Sequence, residues 1–186
     1  MQSPHERPQD HKLQVVVEPT SPFMVLTLHR PANVDEEEKL ISFLKEITLH
    51  SRKLPVIFPV HPRTRKIIEN LSSSPPLTFS PSLHLVDPLG YLAFNYLVKH
   101  AKAVLTDSGG ITEETTVMGV PCMTLRDNTE RPETITIGTN ELLGTNPEAI
   151  QPAMDKLFSG NWKKGGIPPL WDGRAAERIA AHLHNC

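Results

Sequence analysis

The 186-residue sequence predicts an α/β fold, one parallel sheet with helices on both of its faces. Three observations predict it. Short apolar runs recur along the chain, separated by stretches whose apolar residues repeat at helical spacing. The runs are continuous rather than alternating, which is the pattern of strands covered on both faces. Each run ends in a polar or glycine-bearing turn, where the ligands of a parallel sheet collect. Together these features describe a Rossmann-like domain, and at this length roughly 70% of the unfolded surface can be buried.

The elements follow in order. Residues 1–22 are rich in Pro, Gln, His and charge around one apolar patch, Val15 to Val17, and are expected to form a flexible leader to a domain over 23–186. Phe23 to Leu28 is the first strand. Asn33 or Asp35 is placed to cap the next helix, whose first turn carries Glu36, Glu37 and Glu38 and whose apolar face is Leu40, Ile41, Leu44 and Ile47. Pro55 to Val60 is the second strand, followed by a short helix over Thr64 to Leu71 and a Ser/Pro loop over Ser72 to Ser82. Leu83 to Val86 is the third strand, and Tyr91 to His100 a helix with Leu92, Tyr96 and Leu97 inward. Ala103 to Leu105 begins the fourth strand. The helix after it opens at Ile111 and ends at Gly119, and Pro121 to Leu125 is the fifth strand. Arg126 to Glu133 is a polar loop too charged for a core. Glu141 to Leu143 is a short sixth strand, Pro147 to Phe158 a helix with Pro near its start, and the last helix runs from about Gly173 to Leu183.

The stretch Leu105-Thr106-Asp107-Ser108-Gly109-Gly110-Ile111-Thr112-Glu113-Glu114 holds the clearest chemistry. A strand, a glycine turn and a helix start make an anion site, because the first helical N–H groups lack partners and the helix dipole is positive there. Ser108 and Thr106 offer hydroxyl donors, and Gly109 and Gly110 let a phosphate approach the main chain. Glu113 and Glu114 suit the hydroxyl pair of a ribose. A plain turn in which Ser108 or Asp107 caps the helix is the alternative.

Other residues just after strands should share that crevice. His29 and Arg30 can contact an anion, or form a capping or salt-bridging pair. His61 has the same placement. Arg126 and Arg131 can clamp a diphosphate, or their loop can neutralise itself. Phe94 can be core or can stack on a nucleobase. The nine histidines show no zinc spacing, so no metal is expected, and there is no nucleophile elbow or Walker sequence.

A net charge of −2 leaves no electrostatic footprint for nucleic acid or an acidic membrane surface. No apolar run is long enough to span a bilayer, and Met1 to Thr20 lacks a signal-peptide core. Cys122 and Cys186 read as free thiols, so a soluble cytoplasmic protein is expected.

Several of these segments together resemble the non-hydrolysing UDP-N-acetylglucosamine 2-epimerases. Leu105 to Glu114 is similar to their Leu-Thr-Asp-Ser-Gly-Gly-Ile-x-Glu-Glu signature, and Gly119 to Glu133 to their Gly-x-Pro-x-x-x-x-Arg-Asp-x-Thr-Glu-Arg-Pro-Glu. Thr27 to Arg30, Phe58 to Pro62 and Pro88 to Phe94 match in order and spacing, so the resemblance runs from about Phe23 to about Leu183. It implies the C-terminal, UDP-binding half of a GT-B-type two-domain fold. By that resemblance Ser108, Gly109 and Gly110 hold the diphosphate, Glu114 the ribose, Phe94 lines the uracil pocket, Arg131 contacts the nucleotide, and His29 is catalytic beside the phosphates and reacting sugar. The ligands implied are UDP and a UDP-N-acetylhexosamine, with no cofactor.

The family reaction eliminates UDP by removing the sugar C2 proton, then adds it back after protonation on the opposite face. The carboxylates that move those protons belong to an N-terminal catalytic half, the partner this chain lacks. Such groups are each worth about 10²–10⁴ in rate, so the chain alone should be nearly inactive. The chain departs from the pattern at Thr112, where Gln is usual, at Pro31, where Glu or Arg is frequent, and at Leu89, where a polar residue is frequent. A stand-alone nucleotide-sugar binding or regulatory module is the second reading. The nucleotide half of a sugar-transferring enzyme is a third. Because relatives pair through the other half, homo-oligomerisation stays open.

Overall fold

The computed structural model describes residues 21–71 and 80–184. The expected leader, save its last two residues, most of the Ser/Pro loop, and Cys186 lie outside that range. The strands are β1 (Met24–Thr27), β2 (Val56–Pro59), β3 (Leu83–Val86), β4 (Ala103–Thr106), β5 (Cys122–Thr124) and β6 (Asn140–Leu142). The helices are α1 (Pro31–Val34), α2 (Glu37–His50), α3 (Pro62–Leu71), α4 (Tyr91–His100), α5 (Gly109–Met118), α6 (Pro132–Thr136), α7 (Ile150–Phe158) and α8 (Ala175–His184).

All strand pairs are parallel, in the order β3-β2-β1-β4-β5-β6. The chain reverses its winding between β1 and β4, where Val25 stands beside Val104 and Thr27 beside Thr106. The carboxyl ends of these two strands flank the crevice that an open α/β sheet offers to ligands.

The period-2 geometry of the strands divides the core in two. Met24, Leu26, Phe58, Leu105 and Met123 face one side with Leu40, Phe43, Leu44 and Ile47 of α2 and Ile150, Ala153, Met154 and Leu157 of α7. Val25, Ile57 and Val104 face the other with Val98 of α4, and Phe94, Leu97, Ile111 and Met118 pack against them. Burying a side chain of this size stabilises by about 1.5–3 kcal/mol, and strands clad on both faces explain the unbroken apolar runs.

Several expectations are corrected. Neither Asn33 nor Asp35 caps α2; Glu36 occupies that position, a separate turn of helix, α1, precedes it, and Asn33 is buried. Leu92 and Tyr96 point outward, 83% and 54% exposed, because α4 seats its Phe94, Leu97 and Val98 face on the sheet. The charged loop runs into α6 at Pro132, and the loop's first residue, Arg126, is buried. Helix α5 starts at Gly109, two residues before Ile111, and Pro147–Ala149 is a 3₁₀ turn ahead of α7. A Cβ at Gly138 would lie 2.5 Å from Thr116 Oγ1 and 2.6 Å from the Thr134 carbonyl, so only glycine fits behind α5 there.

Candidate functional site

The site is built on α5 and on the loops that leave β1, β4 and β5. At the end of β4, Asp107 is fully buried and turns its carboxylate toward the loop after β1, not toward its own helix. It accepts from His29 N at 3.1 and 3.2 Å, from Arg30 N at 2.9 Å and from Asn33 Nδ2 at 3.2 Å. Its Oδ1 also lies 2.9 Å from His29 Nδ1. Asn33 Nδ2 donates in addition to the Leu125 carbonyl at 3.0 Å, so the buried Asp107 carboxylate and Asn33 carboxamide together tie the ends of β1, β4 and β5. The Asp107 bond holds the His29 imidazole above its ordinary pKa, against partial burial and the neighbouring Arg30 charge. Burial alone would raise the Asp107 carboxyl, yet the hydrogen bonds from His29 and Arg30 bring it below its ordinary value.

Ser108 precedes α5 in extended conformation, and its hydroxyl does not cap the helix. Its N–H donates instead to Thr106 Oγ1 at 2.9 Å, and Thr106 Oγ1 also lies 2.7 Å from Thr27 Oγ1. The Thr106 hydroxyl is therefore committed inside the fold, contrary to the expectation that it would serve a ligand. With no side chain on its first N–H groups, the start of α5 keeps its anion-binding capacity. Gly110 has open space where a Cβ would stand, while Gly109 has Glu130 Oε2 and Arg126 Nη1 3.4 and 3.6 Å from that point. Arg126 donates to both Glu130 oxygens at 2.7 and 2.8 Å, a bidentate pair that pulls the Glu130 carboxyl down to about 2. This pair neutralises itself, as one sequence reading allowed.

Two turns into α5, the environment changes. Tyr91, Asn95, Glu113, Glu114, Val117, Met118, Arg131, Glu133, Trp171 and Gly173 line a cavity of about 590 Å³. Burial pushes the Glu114 carboxyl up, opposed by hydrogen bonds from Asn95 and Tyr91. Arg131 pairs through Nε with Glu113, and both side chains stay partly exposed. From Ser108 to Glu114 the chain rises about 9 Å along α5.

His29, Ser108, Gly109 and Gly110 thus gather at the β1–β4 end, and Glu114 and Arg131 share the cavity. Phe94 is half-buried against the smaller core, and the wall on its helix is made by Tyr91 and Asn95. His61 accepts from Arg63 N at 3.3 Å at the start of its own helix. Sequence reasoning assigned no site role to Asn33, Tyr91, Asn95 or Trp171, which lie outside the glycine motif, and offered Asp107 only the alternative role of a cap. Among the described residues, no group of three His, Cys, Asp or Glu side chains is arranged to hold a metal ion, and no helix is long and apolar enough to cross a membrane. Cys122 is buried, which pushes its thiol up to about 11.

Comparison with known proteins adds a family to this geometry. The UDP-N-acetylglucosamine 2-epimerase from Methanocaldococcus jannaschii is 40% identical over 165 residues, which are 87% of this chain and 44% of that protein. The crystal structure of that organism's UDP-GlcNAc 2-epimerase in complex with UDP-GlcNAc and UDP matches with a TM-score of 0.76 at 38% identity, over 89% of this chain and 46% of that one. The Neisseria meningitidis UDP-GlcNAc 2-epimerase bound to UDP-GlcNAc matches with a TM-score of 0.74 at 32% identity, over 91% and 46%. The chain spans less than half the length of these relatives, and its sheet is the C-terminal half of their GT-B-like fold. The family model for UDP-N-acetylglucosamine 2-epimerase matches residues 2–184, taking in most of the segment read as a leader, and the chain belongs to that family.

Proposed function

We propose that this chain is the UDP-binding half of a UDP-N-acetylglucosamine 2-epimerase. The observation that carries the reading is the uncapped start of α5 at the sheet's switch point, beside a His29 imidazole held high by Asp107. In this reading Ser108, Gly109 and Gly110 hold the diphosphate with main-chain N–H groups, and Glu114 accepts from the ribose hydroxyls. Arg131 contacts the nucleotide and Phe94 borders the uracil. The share of this half in catalysis is leaving-group stabilisation, in which preorganised donors meet the charge that develops on departing UDP. His29, as imidazolium, adds a positive donor to the same oxygens. No redox cofactor takes part.

Proton removal and return at C2 belong to a second half. The interconversion of UDP-GlcNAc and UDP-ManNAc therefore requires that half, and the chain alone turns over close to nothing. A reducing, cytoplasmic setting agrees with the buried Cys122 thiol and with a nucleotide-sugar substrate. Calorimetric titration of the chain with UDP tests the reading. Micromolar to millimolar binding, lost in a folded Ser108→Ala, Glu114→Ala variant, is expected; no binding by a folded wild type would overturn it.

A second reading fits the uncapped start of α5 equally well. It makes the protein a nucleotide-sugar binding module without chemistry. Adding the other half as a separate polypeptide decides between the two, since the enzyme reading alone expects turnover to return.

A further inference from the structure

Asp107 does more than close a turn. Its carboxylate has no exposure, and three of its four hydrogen-bonding partners, His29 N, Arg30 N and Asn33 Nδ2, cannot titrate. The fourth, His29 Nδ1, is therefore offered an acceptor that is fixed in place and direction. The His29 side chain is 52% exposed, so with Nδ1 engaged its Nε2 edge is left to a ligand.

The tautomer follows from this arrangement. A ring that donates Nδ1–H to Asp107 carries a bare lone pair at Nε2 when neutral and an Nε2–H when protonated. A phosphate oxygen repels the first and accepts a charge-assisted hydrogen bond from the second. A free imidazole would turn or switch tautomers to escape this choice; Asp107 prevents both.

The surrounding charges leave that proton in place. Arg30, on the same loop, opposes it weakly. From the loop after β5, Arg126 faces Asp107, but both oxygens of Glu130 take up its guanidinium. From α5 the nearest contributions are the dipole and the N–H groups of its first turn, which favour an anion there and not a second cation.

We propose that Asp107 is the positioning residue for His29, holding it as an imidazolium whose Nε2–H is presented to a diphosphate at the start of α5, so that diphosphate binding is coupled to one proton on this ring. The proposal rests on the reading of this crevice as the diphosphate site. It adds a residue and a proton dependence to that reading.

The test is a nuclear magnetic resonance titration of the His29 ring in the whole chain, assigned by the signal lost in His29→Gln. The expected midpoint lies above 6.5, with Nδ1 still protonated in the neutral form, and in Asp107→Asn it falls to or below 6.5. A wild-type midpoint at or below that value, or a neutral ring that has shed its Nδ1 proton, overturns the proposal without any variant having to fold. The second readout is the affinity for UDP-N-acetylglucosamine from pH about 6 to about 9, a ligand whose diphosphate does not titrate in that range. It should fall about tenfold per pH unit above the His29 midpoint in wild type and stay flat in His29→Gln. Flat wild-type affinity across the midpoint overturns the coupling. ADP-glucose, which carries the same diphosphate diester, separates the two readings. If it binds equally well with the same pH dependence, the proton-coupled Asp107–His29 unit stands and the uridine assignment fails.

Discussion

The first and second turns of α5 belong to one helix and are held in opposite ways. At the first turn every supporting group is buried or committed. Asp107 takes hydrogen bonds from the loop after β1, Ser108 N–H is tied to Thr106, and the Arg126 guanidinium is closed by Glu130. At the second turn Glu113, Glu114 and Arg131 stand in a wide cavity, joined by side-chain bonds that a ligand can replace. A phosphate is recognised by charge and donor position, which call for a rigid cradle, whereas a nucleoside can be met by adaptable polar side chains on an open wall. Substitutions at the first turn should therefore be felt in the fold, and those at the second in the ligand.

Asp107→Ala is the strongest way to break that comparison. It removes the acceptor of two buried-side main-chain N–H groups, one carboxamide and one imidazole. Leaving a buried donor without its acceptor costs about 1–3 kcal/mol, and several are orphaned at once, measurable as a drop in the urea midpoint. Glu114→Ala should cost far less stability while weakening UDP binding; if the two variants lose equal stability, the contrast fails. The pH dependence carries the same signature. The Asp107 pKa is lowered on folding, so its contribution is present above the ordinary 3.8 and is lost as pH falls through the folded value. The His29 pKa is raised, so its contribution is complete below 6.5 and is lost as pH rises through the folded value. Wild type minus Asp107→Asn, followed by urea unfolding across pH, should show a plateau between these limits and decline on both sides.

Gly138→Ala tests whether the second turn depends on what lies behind it. A new Cβ meets Thr116 of α5 and the Thr134 carbonyl, so something must shift. Overpacking of this kind costs about 1–3 kcal/mol. Displacement of α5 should also weaken UDP binding, although Gly138 touches no ligand position. A loss of stability with unchanged affinity would mean that α5 is held well enough from its first turn alone.

The same division governs what could be read from sequence. The sheet was legible because strands covered on both faces must be continuously apolar, as the fully buried run from Ala103 to Leu105 is. The glycine turn was legible because a helix start without side chains has few other uses. Asp107 was visible in that motif, but its partners Arg30 and Asn33 lie more than seventy residues away, and no local rule links them. The inward face of α4 was misread because Leu92 and Tyr96 form an apolar stripe as convincing as Phe94, Leu97 and Val98, and only the sheet chooses between them. Asn95 and Trp171 carry no local signal, since the cavity exists only once α4, α5 and the segment before α8 are side by side.

The smallest stability effect should come from Arg131 and Glu113, and it sharpens the comparison most. Both side chains are partly exposed and screened by solvent, so breaking their pair should leave the urea midpoint almost unchanged. Their effects on ligand binding should have opposite signs. Arg131→Ala removes a charged donor and should weaken UDP binding about tenfold or more. Glu113→Ala releases Arg131 from a competing carboxylate and lifts one negative charge from beside Glu114, so UDP should bind a few-fold tighter. Calorimetry on the two single variants and the double variant resolves this. If Glu113→Ala weakens binding as Arg131→Ala does, the ion pair is a built part of the nucleotide site, and the second turn is as preorganised as the first.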